Sequence, residues 1–512
     1  MSFTLTKKTL IAGALTLTAA NIITRLIGFA YRIFMAGAIG PEGMGLYQLI
    51  MPIYSLAWAI SCSGITTTLS RLVAAEQAKG EYGNMRRLLR LSLFITTGIS
   101  LALTVVLFFF ADFIGTGIMN DGRIALSLRI LSGAIVFMAA GSCIRGYFLG
   151  LQKTTVPAVS QVVEQLARMT IILMLAGTFI PRGLEYAAAA AVIGIVAGEA
   201  LSFVYVYIAY RRHKSKMPTK PPMMTQNQVL FAILAMAAPL TLNRISSSFL
   251  SAVENVLIPA RLQLWGHTPE EAMAVFGKIT GMAMPLIFFP SAMLTALSIT
   301  LVPSISEAMA LGHMRRINST ISKSIVFTSI IAFGAGLIFV VFPHEIGRIV
   351  YRQDLGYMLL VLGLMCPFWY LNITFNGVLN GLGEQVFIFR NSLLASLINI
   401  AFVYFLVPIY GVSAFLAGWF VGLIIITFFD IRRIKRVTDV APQILRWFAK
   451  PALAAAASGL IVNFLHNQYF HALGEVWGVV FSLFLLMGLY GVFVILLGTI
   501  AIGDIKQMLG IK

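Results

Sequence analysis

The chain has 512 residues, of which 59% are apolar and only 11% are Asp, Glu, Lys or Arg, and its mean hydropathy is +0.90. Apolar runs of roughly 20 residues recur from end to end, which marks an integral membrane protein and excludes a soluble domain. The net charge of +18 does not point to nucleic acid, because the cations fall in short loops between apolar runs. Cys62, Cys143 and Cys366 are scattered in apolar segments, so they read as small packing residues rather than a disulfide framework or a metal site.

The first apolar segment, Leu10–Ala38, is long enough to cross a bilayer, yet it holds Asn21, Arg25 and Arg32. With Gly28 they follow i, i+4, i+7 and i+11, one narrow stripe on a helix. Arginine at the centre of a membrane helix costs roughly 2.5–3.5 kcal/mol on insertion scales. A stripe that costly is aimed at a water-filled cavity, a pore or an anionic ligand; a snorkelling or helix-packing arginine is the plainer alternative. Arginine suits pyrophosphate, since its planar fork gives paired, charge-assisted hydrogen bonds and stays protonated when buried. The weak Lys7-Lys8 pair and the arginines inside the run argue for a retained helix rather than a cleaved leader.

The remaining spans of the first half are Leu46–Ala75, Leu88–Phe110, Ile124–Leu149, Pro157–Ile180 and Tyr186–Tyr210. The second span is dense in small hydroxyls, Ser61 to Ser70, which allow close helix packing. The first six spans hold Arg25, Arg32, Arg71, Arg129, Arg145 and Arg168 against only Glu164 and Glu199. Arg71, Arg145 and Arg129 lie near span ends, where interfacial anchoring is an equal reading. The fifth span places Gln161, Glu164, Gln165 and Arg168 on one face, and Glu164 and Arg168 can pair along the helix. That pair is either structural or a switch that breaks and forms as the protein changes conformation.

The longest loop, Arg211 to Gln228, is rich in proline and cations and reads as a linker. After it come Val229–Pro259, Val275–Met309, Ile317–Phe342, Tyr357–Asn380, Val386–Val407, Gly411–Ile431, Phe448–Leu465 and Val476–Ile502. This half offers Arg244 against Glu254. Pro239, Pro285, Pro290 and Pro303 interrupt the seventh and eighth spans and permit bends. The tenth span carries Asn372, Asn376 and Asn380 at i, i+4 and i+8, a ladder that either packs between helices or meets sugar hydroxyls. The six histidines are scattered through loops and read as solvated.

An internal repeat divides the chain. Met85-Arg86-Arg87 recurs as Met314-Arg315-Arg316, Gly146 and Gly150 as Gly377 and Gly381, and Gly194 and Gly198 as Gly418 and Gly422. The fold class expected is an all-α integral membrane protein of about 14 transmembrane helices, with two six-helix lobes related by a pseudo-twofold along the membrane normal plus two C-terminal helices. The expected domains are residues 1–210, a linker 211–228, residues 229–436 and a helix pair in 437–512. Such lobes suggest alternating access to a central site. No Walker glycine loop, metal-spaced histidine cluster or nucleophile elbow is present, so no enzymatic chemistry and no cofactor are expected.

Four stretches carry a family resemblance: Thr24-Arg25-Leu26-Ile27-Gly28-Phe29 with Arg32, Gly40-Pro41-Glu42-Gly43-Met44-Gly45-Leu46-Tyr47, Ser70-Arg71-Leu72-Val73-Ala74 and Val162-Val163-Glu164-Gln165-Leu166-Ala167-Arg168. With six plus six plus two spans, the chain resembles the multidrug/oligosaccharidyl-lipid/polysaccharide (MOP) exporter superfamily, in the stage V sporulation protein B and polysaccharide-biosynthesis branch related to lipid II flippases. The resemblance implies outward flipping of an undecaprenyl-pyrophosphate-linked sugar or peptidoglycan precursor across a bacterial cell membrane, with spore cortex as one destination. The substrate-binding residues expected are Arg25, Arg32, Arg145, Asn21, Arg244 and Asn376, with Glu164 and Arg168 as the switch pair. A coupling ion or the membrane potential would drive transport. A multidrug cation antiporter of the same superfamily is the alternative, disfavoured by the absence of an acid in the first span and by the arginine excess.

Orientation follows from loop charge. With the N-terminus inside, cytoplasmic loops collect about 24 of the Lys and Arg residues and outer loops about six. Both termini and the Arg211–Gln228 linker are therefore expected in the cytoplasm. Single cysteines at Gly43, Asn120 and Gln468 should label with an impermeant reagent from outside, and one at Lys216 should not. External labelling at 216 would reverse the orientation.

Overall fold

A computed structural model describes residues 7–499 except 219, 439 and 442, with side chains from residue 19 onward and not at 471. Among the described residues the secondary structure is entirely helical. By length and composition 14 helical segments can cross a membrane. The stretch Ala19–Ala78 counts once among these although it contains two crossings, because the helical path breaks at Gly40, with φ 67° and ψ −175°. That positive φ costs glycine little and would strain most other residues. Conversely, Pro269–Phe288 and Ser291–Ala310 count separately, yet Phe289 and Pro290 both keep right-handed helical angles. The chain continues in one direction through that kink, so the two pieces form the single eighth span expected from the sequence. One segment gained and one merged leave fourteen crossings. The end of the expected last span, beyond Thr499, lies outside the described residues, as do side chains at the start of the first.

The chain forms two compact units, one ending at Gly277 and the other beginning at Lys278. The boundary falls later than the 211–228 linker because the seventh span, Gln226–Leu264, packs on spans one and two, and the short helix Pro269–Phe276 packs against the same long helix. The linker is pinned down rather than loose. Arg86 donates to the Met217 and Pro218 carbonyls at 3.1 and 3.0 Å, Asn84 accepts from the Met224 amide at 2.9 Å, and Arg87 donates to the Met224 carbonyl. Thr225 and Gln228 then form a capping box that starts the seventh span.

Backbone approach is set by the glycines of the repeat. A Cβ at Gly146 would lie 2.7 Å from the Thr66 carbonyl oxygen, so span four rides directly on span two; one at Gly377 would lie 2.6 Å from that of Ser298, so span ten rides on span eight. Gly198 likewise brings span six onto span five, 2.8 Å from the Glu164 carbonyl, and Gly418 brings span twelve onto Phe402 of span eleven, at 2.6 Å. The same helix pairs meet in the same way within each unit, as small residues allow in membrane proteins. The hydroxyls of the second span mostly bond back to their own helix, Ser61 to the Ala57 carbonyl at 2.6 Å and Ser63 to that of Ala59 at 2.9 Å.

Spans thirteen and fourteen, Leu445–Phe470 and Glu475–Leu496, pair with each other and lean on span nine, Met314–Val341. Trp447 donates to Ser322 at 3.1 Å and Tyr490 to the Ile330 carbonyl at 2.9 Å. The pairing also corrects the reading of His466 as solvated. It is 6% exposed, sits edge-on to Phe342, and shares a 2.8 Å hydrogen bond with Ser482, because the helix pair closes over it.

Span two meets span seven at Gly64, whose added Cβ would lie 2.5 Å from the Ala237 carbonyl oxygen, whereas one at Gly98 in span three would meet nothing within 4 Å. Gly64→Ala should therefore destabilise the detergent-purified protein by about 1–3 kcal/mol through overpacking. Gly98→Ala should be neutral or stabilising by up to about 1 kcal/mol, since alanine is the better helix former. Thermal unfolding of the two variants side by side checks the contrast; equal effects would contradict it.

Candidate functional site

Polar side chains inside the first unit fall into two groups. The first is the stripe on span one. Gly28 faces Gln165 of span five, where an added Cβ would lie 3.4 Å from the Gln165 amide nitrogen. On the helix around that contact Asn21 and Arg25 are exposed and Arg32 is half-buried. Neither arginine forms an ion pair among the described residues, while most other arginines of the six spans have a partner. Arg129, for example, pairs with Asp112, and both are largely exposed, so this arginine anchors an outer helix end. Arg71 is exposed on span two.

The second group is a buried ion network joining spans two, four, five and six. Arg168 donates to Glu164 across one helical turn at 2.9 Å. Arg145 of span four lies 3.8 Å from Glu164 and 3.9 Å from Glu199 of span six. Those separations are ionic rather than hydrogen-bonded. Arg145 places its hydrogen bonds on Ser202 at 3.0 Å and Ser142 at 2.9 Å. Tyr54 of span two donates to Glu199, whose side chain is only 4% exposed. Two arginines and two glutamates cancel to zero formal charge, as a low-dielectric interior demands. Spare capacity remains: the second Glu199 oxygen and the Arg168 Nε have no hydrogen-bond partner. Gly194 and Gly198 make the network possible, because a Cβ at either would press on the backbone of Arg168 or Glu164, at 3.1 and 2.8 Å.

The structure thus joins Arg145 to the Glu164–Arg168 pair and surrounds it with acids. Arg244 lies apart from both groups, exposed on span seven with its guanidinium 5.8 Å from the Trp58 ring centre, a favourable cation–π distance.

In the second unit Asn376 donates to Asn372 at 3.0 Å, and Asn380 donates to the Asn376 carbonyl at 2.7 Å. The ladder ends on an acid not expected from the sequence. Asn372 and Asn391 donate to the two oxygens of Asp430 at 3.2 and 2.7 Å. Asp430 sits just before the cationic run Arg432-Arg433-Lys435-Arg436, so in sequence it looks like part of a solvated helix end. Glu199 stands in an apolar run as an intramembrane acid, but no spacing rule names Tyr54 or Arg145, on other helices, as its partners. Among the described residues no group of three or more His, Cys, Asp or Glu side chains could hold a metal ion.

Comparison with known proteins agrees with this architecture. The sequence pattern of polysaccharide biosynthesis proteins matches residues 10–309, and that of the MatE family matches residues 263–405. Stage V sporulation protein B of Bacillus subtilis (strain 168) is 28% identical over 446 residues, 86% of each chain. The lipid II flippase MurJ of the same organism is 26% identical over 340 residues, 62% of this chain and 61% of that one. Among solved structures, the inward closed conformation of lipid II flippase MurJ superimposes with a TM-score of 0.69 at 16% identity, covering 94% of this chain and 98% of that one. A multidrug resistance MATE family transporter in its inward-facing conformation gives 0.62 at 15% identity, covering 84% of this chain and 100% of that one. At those identities the solved structures speak for the fold alone. A multi-pass helical protein matched over more than half its length by one family pattern, this chain belongs to the polysaccharide biosynthesis protein family.

Proposed function

We propose that this protein is a flippase that moves a lipid-linked, pyrophosphate-bearing oligosaccharide or peptidoglycan precursor outward across the bacterial cell membrane, with both termini in the cytoplasm. The observation that carries the reading is the difference between the two groups of arginines. Arg145 and Arg168 are neutralised by Glu164 and Glu199 at 2.9–3.9 Å, whereas Arg25 and Arg32 share one stripe with no ion pair among the described residues. A permanent cation held at membrane depth without a protein counter-ion gains most from a multiply charged anionic ligand. The names of the relatives, a sporulation protein and a lipid II flippase, support a cell-wall or spore-envelope precursor as that ligand. The protein then needs no chemical step and no cofactor: alternating access exposes the cargo site to each side of the membrane in turn, and a coupling ion or the membrane potential supplies the drive, at about 2.3 kcal/mol per charge per 100 mV.

In this reading the buried network is the conformational counterpart of the cargo site. Glu164 is shared by Arg145 and Arg168, and the Arg145 contacts at 3.8 and 3.9 Å are loose enough to exchange partners as helices shift.

Purified protein in liposomes should flip a fluorescent lipid II or an undecaprenyl-linked teichoic or capsular precursor. Arg25→Ala and Arg32→Ala should each reduce the rate about tenfold or more, through loss of a charge-assisted contact to the pyrophosphate. Lysine should rescue only in part, because it keeps the charge and loses the fork. Alanine variants that express normally and flip at the wild-type rate would remove the basis of the proposal.

The network makes a separate expectation. Glu164→Ala should destabilise the protein by about 3–5 kcal/mol, leaving an arginine without its partner, while Glu164→Ala combined with Arg168→Ala should recover part of that loss, because Arg145 and Glu199 still balance each other. Thermal unfolding of the single and double variants measures it, and a double variant no more stable than the single one would show that the unpaired arginine is not the source of the loss.

A further inference from the structure

We infer, on the anionic-cargo reading above, that Gln165 of span five is a cargo contact: a neutral donor that stands between Arg25 and Arg32 and completes a site for a diphosphate. Gly28 lies on the arginine stripe, three residues after Arg25 and four before Arg32. An added Cβ there would come 3.4 Å from the Gln165 amide nitrogen, so the amide reaches span one inside the stripe. Side chains on a helix lean toward its N-terminus, so Arg32 covers the turn that holds Gly28. The missing side chain of Gly28 leaves a notch beside the amide and under the reach of that arginine.

The amide is also uncommitted. Span five packs on spans one and six, and its polar face carries Gln161, Glu164, Gln165 and Arg168. Glu164 and Arg168 pair at 2.9 Å. Gln161 and Gln165 are half-buried, and neither side chain forms a hydrogen bond among the described residues. An amide that bonds nothing is costly in hydrocarbon. The asparagines of span ten avoid that cost: Asn372 donates to Asp430, Asn376 to Asn372 and Asn380 to the Asn376 carbonyl. Gln165 has no such outlet, so its amide is turned to water or to a ligand, as Arg25 and Arg32 are.

The spacing selects the ligand. Arg25 and Arg32 are seven residues apart, about 10.5 Å along the helix axis. That interval suits an anion charged at both ends, whereas a single phosphate is answered by one guanidinium. Each planar fork can take the oxygens of one phosphate. Gln165, at the level of Gly28, offers two N–H donors to the oxygens between them. An amide adds these donors without adding another desolvated charge. The ligand class is therefore a diphosphate ester rather than a monophosphate.

The test uses full-length protein in detergent and native mass spectrometry, with undecaprenyl pyrophosphate and undecaprenyl monophosphate as the two probes. Wild-type protein should prefer the diphosphate. Gln165→Met keeps the side-chain length and removes both polar atoms. It should weaken the diphosphate about tenfold, as loss of a hydrogen bond to a charged group does, and leave the monophosphate unchanged. Gln165→Glu sets an acid between the arginines and should abolish the preference. In thermal unfolding it should also couple to Arg32: Gln165→Glu with Arg32→Ala should lose more stability than the two single changes add up to. Wild-type protein that binds neither lipid removes the anionic-cargo reading and the role of Gln165 together. Equal binding of the two lipids by wild-type protein, or a preference that Gln165→Met leaves intact, overturns the role of Gln165 and spares that reading. Strictly additive stabilities would show that Gln165 does not stand against Arg32 and overturn it as well.

Discussion

A full charge inside a bilayer must be answered by another charge, and the polar residues of this protein are arranged by that rule. In the first unit Glu164 and Glu199 are set against Arg145 and Arg168, with Tyr54, Ser142 and Ser202 adding hydrogen bonds. The net cost of such a cluster is small while it is intact and large when one member is lost. The exceptions are then informative. Arg25 and Arg32 are positive and unpaired among the described residues, and Asp430 is negative and held by amides alone.

Close helix packing makes the ion network possible. Without a hydrophobic drive between helices in lipid, contact depends on shape, and glycine supplies it where spans four and ten ride on spans two and eight. Gly194 and Gly198 bring span six so near to span five that Glu199 comes within 3.9 Å of an arginine on span four. Packing thus fixes the distances on which the charge balance depends. The repeat of these approaches in each unit is the physical content of the sequence repeat, and it fits two lobes built on one plan.

Legibility in sequence followed the range of the interaction. Fourteen crossings could be read because length and hydropathy are local properties, and even the kinked eighth span was visible through its prolines. The Glu164–Arg168 pair was visible because helical spacing places the two side chains one turn apart. Arg145 was visible as an intramembrane cation, but its partners on two other helices were not, since no spacing rule connects spans four, five and six. His466 looked solvated because it adjoins an outer loop; the closure of spans thirteen and fourteen over it is a tertiary event. Asp430 was hidden by the basic run that follows it. The compact units also divide later than the proline-rich linker suggested, because the seventh span packs on the first two.

The most direct measurement of the central claim is ligand binding by native mass spectrometry of the detergent-solubilised protein. An undecaprenyl-pyrophosphate-linked sugar would compete with a neutral glycolipid of matched chain length and sugar. If unpaired Arg25 and Arg32 recognise the pyrophosphate, the charged lipid should bind at least about tenfold more tightly, a difference of about 1.4 kcal/mol. That preference should collapse when both arginines are alanine. Equal binding of the two lipids, or a preference that survives the double substitution, would contradict an anion site on the first span.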